Sequence, residues 1–235
     1  MLVVLTLALD TSSLSGSVAV LRDETLLGVV STRGEENYSS RLFRHLDFLL
    51  QDLALALKDF DLFAVSAGPG SFTGLRVGLA AAKGWAEVYA KPVAGISSLE
   101  AVAAQSPSRS HVLVPVLDAR RSQFYFGIYR NSPQARTLEG DERVASPDEF
   151  IDAISGSSAE DTITIVAADP ALLRDVMPRL KPELAQLDIV SGVLAPTIGR
   201  LGFERAQRGA LSDSLALDAN YVRRSDAELN WKCPQ

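Results

Sequence analysis

The chain has 235 residues, 47% of them hydrophobic and 22% charged, a composition that fits a globular protein of one large or two small domains. Its net charge of −6 disfavours general binding to a nucleic-acid backbone, so any work on RNA needs a basic partner or a local patch. One cysteine, Cys233, excludes an internal disulfide framework and zinc sites built from paired cysteines.

No apolar run reaches the roughly 20 residues that span a bilayer, so a cytoplasmic location without membrane contact is expected. Residues 1–10 lack a basic leader and run straight into a buried-strand pattern, which reads as structure and not as a signal peptide. Strands are predicted over 4–9, 17–21 and 25–31, with a turn at Arg22-Asp23-Glu24, and a helix over about 38–57 follows. Next come a strand at 62–66, a helix at 73–89, a short strand at 93–96 and a helix at 98–105. The polar stretch 106–110 breaks both periodicities.

Beyond it the order recurs. A strand over 112–117 ends at Asp118 as the first strand ends at Asp10. Matching the two aspartates sets Phe126 opposite Val18, Ile128 opposite Val20 and Tyr129 opposite Leu21. A strand at 136–144, a helix at 147–154, a strand at 162–166 and helices at 170–180 and 196–207 complete the second copy. The expected fold class is α/β: two tandem ribonuclease-H-like units, mixed sheets flanked by helices, the architecture of actin-like ATPases and sugar kinases. The expected domains are 1–107, with partner-binding helices, and 108–235, with a polar tail. In such proteins a nucleotide lies between the halves, and Asp10-Thr11-Ser12-Ser13 and Asp118-Ala119-Arg120-Arg121 stand at the two hairpin turns that would meet its phosphates.

The run Ala67-Gly68-Pro69-Gly70-Ser71-Phe72-Thr73-Gly74-Leu75-Arg76 joins a predicted strand to a predicted helix. Little side-chain bulk separates an incoming group from the free amides of that helix, which suits a phosphate or a closely approaching protein. The glycine spacing misses G-x-G-x-x-G by one residue, and Lys83 is followed by Gly84 and not by Ser or Thr, so neither dinucleotide nor P-loop motif is present. Asp10, Thr11, Ser12, Gly68, Gly70, Ser71, Thr73 and Gly74 form the candidate phosphate-type loops.

Within the helix at 73–89, Gly74, Gly78 and Ala82 recur every four residues as one smooth face, flanked by Ala81 and Trp85. Helix-interior glycine costs about 0.5–1 kcal/mol relative to alanine, so close packing is implied, on the chain's own sheet or on another subunit. The preceding helix has a broad stripe of Leu42, Phe43, Leu46, Leu49, Leu50, Leu53 and Leu57, with Phe48 and Leu55 beside it. The candidate partner-binding set is Leu42, Leu46, Leu49, Gly74, Arg76, Gly78, Ala81, Ala82 and Trp85.

Catalytic groups are scarce. The two histidines, His45 and His111, lie in different halves, and no Ser-His-Asp or Cys-His set can be assembled. Most carboxylates (Asp23, Glu24, Glu35, Glu36, Asp141, Glu142) fall in turns. Asp10 and Asp118 end buried strands and could hold a metal-bound water or satisfy the neighbouring turn amides. No catalytic and no metal-binding residue is assigned.

Leu9-Asp10-Thr11-Ser12, the block 67–76, Ala82-Lys83-Gly84, the run 92–100, Asp118-Ala119-Arg120, Phe124-Tyr125 and Tyr221-Val222-Arg223 resemble the TsaB (YeaZ) family. The similarity is strong over about 4–130 and weak over 138–217. The resemblance implies a non-catalytic subunit that forms a homodimer or pairs with TsaD through its N-terminal helices. With TsaE, an ATP-hydrolysing subunit, the assembly makes threonylcarbamoyladenosine beside the tRNA anticodon, and tRNA is met only through the complex. It also implies no cofactor of the chain's own, with ATP or ADP at the partner interface, near Arg76 or Lys83, left open. TsaD carries two metal-binding histidines four apart, where this chain has Ser98 and Val102; neither replaces an imidazole. Tyr38 stands where many relatives have histidine. Two rival readings remain at this point: an ATP-binding kinase-like enzyme using 10–13 and 68–74, and a metallopeptidase.

Overall fold

A computed structural model describes residues 3–34, 38–132, 136–155, 162–181, 185–211 and 216–223. The chain divides into a first unit, Met1–Gln105 with Ser191–Ala219, and a second, Ser106–Val190 with Asn220–Gln235. Among the described residues no helix is long and apolar enough to cross a membrane.

The first unit opens with three antiparallel strands, β1 (Leu5–Asp10), β2 (Ser17–Arg22) and β3 (Thr25–Ser31). Helix α1 (Leu42–Asp52) leads to β4 (Leu62–Gly68), α2 (Phe72–Tyr89), β5 (Val93–Ser97) and α3 (Ser98–Ala104). The five strands lie in the order β3-β2-β1-β4-β5, with β4 parallel to both of its neighbours. Strand β4 is buried along its whole length, as a strand covered by helices on both faces must be. Leu7, Leu9, Val18 and Val20 join Leu42, Leu46 and Leu49 of α1 and Leu79, Ala82 and Ala86 of α2 in one core.

The second unit repeats the plan with β6 (Val112–Asp118), β7 (Phe124–Asn131), β8 (Arg136–Ala145), α4 (Pro147–Ser155), β9 (Ile163–Ala167) and β10 (Ala185–Ile189). Its order, β10-β9-β6-β7-β8, is the first sheet's order read from the other edge. The duplication expected from the paired aspartates is therefore present, and the fold is two ribonuclease-H-like units. Phe150 of α4 closes this core edge-on against Phe124 and Phe126, at centroid distances of 5.5 and 5.1 Å.

Several elements differ from the sequence reading. Leu9 pairs with Val18 in the first hairpin, whereas Leu117 pairs with Tyr125 in the second, so Tyr125 and not Phe126 stands opposite Val18. The cause is the turn: it spans 11–16 in one unit and 119–123 in the other, and one residue reverses every face. The helix expected over 38–57 is a 3-10 turn at Tyr38–Ser40, α1, and another turn at Leu57–Asp59, because Ala54 takes a left-handed φ of 52°. The helix expected over 170–180 is two 3-10 turns, Pro170–Leu173 and Met177–Arg179, since Pro178 supplies no amide to a longer helix. Strand β10 has no counterpart in the sequence reading.

The last helix, α5 (Ala195–Gln207), packs on β1, β2, β4 and β5 and covers the first sheet, whereas the sequence order suggests the end of the second copy. Gly199 and Gly202 permit this, since a Cβ on Gly199 would collide with Leu21 and one on Gly202 would lie 2.8 Å from Ala64. The Arg205 guanidinium locks the helix by donating to the Gly95 carbonyl and pairing with Glu100.

Candidate functional site

Asp10 ends β1 fully buried. Its Oδ1 accepts hydrogen bonds from the Ser12 amide (2.9 Å) and hydroxyl (2.6 Å), while its Oδ2 has no partner among the described residues. Burial raises its pKa above the usual 3.8, and the Ser12 bonds only partly oppose that. Beside it, the Tyr38 ring fills the space that a Cβ on Gly16 would need, and its hydroxyl shares a 2.8 Å hydrogen bond with His45 Nδ1. Burial, then the Asp10 carboxylate, push the Tyr38 phenol upward, and burial followed by Arg44 and Arg41 lowers His45. The Arg41 guanidinium bonds to the Thr32 carbonyl and hydroxyl and to the Leu14 carbonyl, fixing the turn from outside.

A raised carboxyl pKa means the folded state holds its proton where the unfolded chain has lost it. Stability contributed by Asp10 is thus greatest in acid and falls as pH rises from 3.8 through the elevated folded value. Thermal melts of wild type and Asp10→Asn across that range should show the variant gaining relative to wild type as pH rises. A constant difference between the two curves would contradict the assignment.

The loop after β4 lies directly on the loop after β1. The Ser71 amide donates to the Ser12 carbonyl (2.7 Å), and the Thr11 hydroxyl donates to the Gly74 carbonyl (2.7 Å). Ser71 caps α2 by accepting from the Gly74 amide (3.3 Å). A Cβ on Gly70 would stand 2.6 Å from the Ser12 carbonyl, one on Gly74 would overlap the Thr11 carbonyl, and one on Gly78 would overlap the Thr11 hydroxyl. These glycines bring the chain against itself. The Ser71 and Gly74 amides and the bare backbone at Gly70 and Gly74, which could have cradled a phosphate, are therefore occupied internally. Asp10, Thr11, Ser12, Gly68 and Gly74 are buried, Gly70 and Ser71 half-buried, and only Thr73 of the candidate set is exposed.

The same contacts correct the partner-binding set. Leu42, Leu46, Leu49, Gly74, Gly78 and Ala82 belong to the chain's own core and present no surface. Ala81 and Trp85 are half-buried, and Arg76 is exposed with its guanidinium 3.7 Å above the Phe72 ring. Lys83 donates to the Leu217 carbonyl (2.8 Å). The outward side of these helices is made by other residues. Phe43 is 58% exposed and meets Trp85 edge-on at 6.5 Å; Val88, one turn beyond Trp85, is 74% exposed. In line with Val77, Ala81 and Val88 stands Gly84, where an added Cβ would meet nothing within 4 Å. The sequence reading gives Gly84 no partner role; its signal was a mid-helix glycine that the chain's own packing does not require.

Ser98, one of the positions matched to a metal-binding histidine, is buried with its hydroxyl 2.7 Å from that of Ser66, and Val102 is fully buried. Among the described residues no three His, Cys, Asp or Glu side chains converge on a common point. Glu35, Glu36, Cys233 and the polar tail after Arg223 lie outside the described residues.

Fold and loops together define a ribonuclease-H-like protein whose first unit has its phosphate-type loops closed on one another. The family model for TsaD, tRNA N6-adenosine threonylcarbamoyltransferase, matches residues 19–169. The tRNA threonylcarbamoyladenosine biosynthesis protein TsaB of Bacillus subtilis is 37% identical over 124 residues, 53% of this chain and 54% of that protein. Its counterpart from Haemophilus influenzae is 33% identical over 165 residues, 65% of this chain and 69% of the relative. The crystal structure of YeaZ from Pseudomonas aeruginosa superposes with a TM-score of 0.74 at 26% identity, covering 93% of this chain and 99% of that one. The chain belongs to the TsaB (YeaZ) family. It spans about half the length of the B. subtilis relative.

Proposed function

We propose that this chain is a non-catalytic subunit that pairs with a TsaD protein and supports it in forming threonylcarbamoyladenosine beside the anticodon of tRNA. The observation that carries this reading is the outward stripe Val77-Ala81-Gly84-Val88 of α2 with Phe43 and Trp85 beside it: an apolar strip with a notch at Gly84. A notch that the chain itself leaves empty fits a foreign helix laid along α2. A second copy of this chain would use the same strip as a homodimer. TsaE completes the assembly, tRNA is met through the complex, and the setting is the cytoplasm. The chain has no cofactor of its own in this reading, and Arg76 is the cation that would meet ATP or ADP at the partner interface.

The closed first-unit loops support a subunit over an independent kinase-like enzyme. Calorimetry of the isolated chain with ATP and magnesium should give no heat at millimolar nucleotide, and measurable binding would restore the kinase reading. Mixing the chain with TsaD, TsaE and unmodified tRNA tests the proposal itself. Modified adenosine should form only when the chain is included; equal yield without it would end the proposal.

A further inference from the structure

We infer that the turn between β6 and β7 grips a phosphodiester group of the RNA substrate through Arg120 and Arg121, an inference that rests on the tRNA-modification reading above. Both arginines are exposed on a turn whose backbone does not favour them. Arg120, Arg121 and Ser122 have φ of 63°, 53° and 54°, successive left-handed residues with no glycine among them. The Gln123 amide donates to the Arg120 carbonyl (3.0 Å), closing a tight hairpin turn around Arg121 and Ser122. Such turns select Asn and Gly at their centre. Arginine where the backbone asks for glycine points to a use for the side chain.

The turn is also held in place. Arg223 donates to the Ala119 carbonyl (2.8 Å) and to the Gln123 side chain, and the Ala119 amide donates to the Gln123 carbonyl (3.0 Å). Asp118 Oδ1 accepts from the Arg120 amide (2.7 Å), while its other oxygen stands 3.9 Å from the Arg120 guanidinium, a loose pair that leaves 69% of that side chain in solvent. The corresponding turn of the first unit is closed under α2 and carries no arginine. In a chain of net charge −6, long-range attraction to RNA is absent, so contact falls to short-range guanidinium forks on phosphate oxygens.

The test uses the full chain with TsaD and TsaE, an unmodified tRNA transcript as probe, and the double variant Arg120→Gly/Arg121→Gly. Glycine relieves the left-handed backbone, so Tm should rise by about 2–4 °C. Affinity of the assembly for tRNA should meanwhile fall about tenfold, and the slope of log affinity against log salt should drop by about 2. The charge-conserving Arg120→Lys/Arg121→Lys should retain that slope. Unchanged tRNA affinity and slope in the glycine variant would overturn the inference. So would loss of TsaD pairing in that variant, which would assign the arginines to a protein carboxylate, or competition by millimolar ATP, which would assign them to a free nucleotide. If the wild-type chain fails to pair with TsaD at all, the functional reading falls first, and the inference falls with it.

Discussion

Gly74→Val should unfold the first unit well below the wild-type transition. A Cβ at this position would overlap the Thr11 carbonyl, a backbone atom that cannot turn aside, so either α2 or the turn after β1 must move. Movement breaks the Thr11 hydroxyl bond to the Gly74 carbonyl and the Ser71 amide bond to Ser12, both made at 2.7 Å. Overpacking of this kind costs about 3 kcal/mol or more, and the lost bonds add about 1 kcal/mol each. Tm should fall by about 10 °C or more, read by circular dichroism. Gly78→Leu should behave similarly, because it meets the Thr11 hydroxyl. It is therefore unsuitable as a probe of partner binding. A wild-type Tm for Gly74→Val would mean that the two loops are not in contact.

The opposite result is expected at Gly84, further along the same helix. Gly84→Leu adds side chain into open space and replaces a poor helix former with a good one, so the isolated chain should gain about 0.5–1 kcal/mol. Pairing with TsaD should weaken at least tenfold because the notch is filled. Phe43→Asp should weaken it further: Phe43 is an exposed aromatic at the edge of Trp85, the kind of anchor whose loss costs about 2 kcal/mol or more in an interface. Size-exclusion chromatography and melting curves read both effects. If both variants pair normally, the outward strip of α2 is not the partner surface.

The parts of this molecule that follow chain-local rules were readable from the residues. Aspartates at the ends of β1 and β6 exposed the duplication, and alternating apolar runs located most of the strands. Register was not readable, because a turn shorter by one residue leaves no local mark yet exchanges Phe126 for Tyr125. The helix over 170–180 failed on Pro178, a signal that was visible but outweighed by the apolar spacing around it. At the site, Gly74 and Gly78 correctly signalled close approach, but a smooth face looks the same whether it meets its own sheet or a foreign helix. What separated them was Thr11, 63 residues away in sequence and 2.7 Å away in space from Gly74. Gly84, by contrast, acquires meaning only once the space beside it is known to be empty.

The order of segments also bears on synthesis. The first unit is interrupted by Ser106–Val190 and completed by Ser191–Ala219, and its sheet acquires the cover of α5 only from Ala195 onward. On a ribosome, the strands from β1 to β5 emerge long before the helix that hides one of their faces, while β6 to β10 can close as a group in the interval. Premature termination ahead of Ala195 would leave Ala8, Leu21 and Ala64 without the glycine-lined surface that Gly199 and Gly202 bring to them, a fragment with an oily flank and a natural client for chaperones.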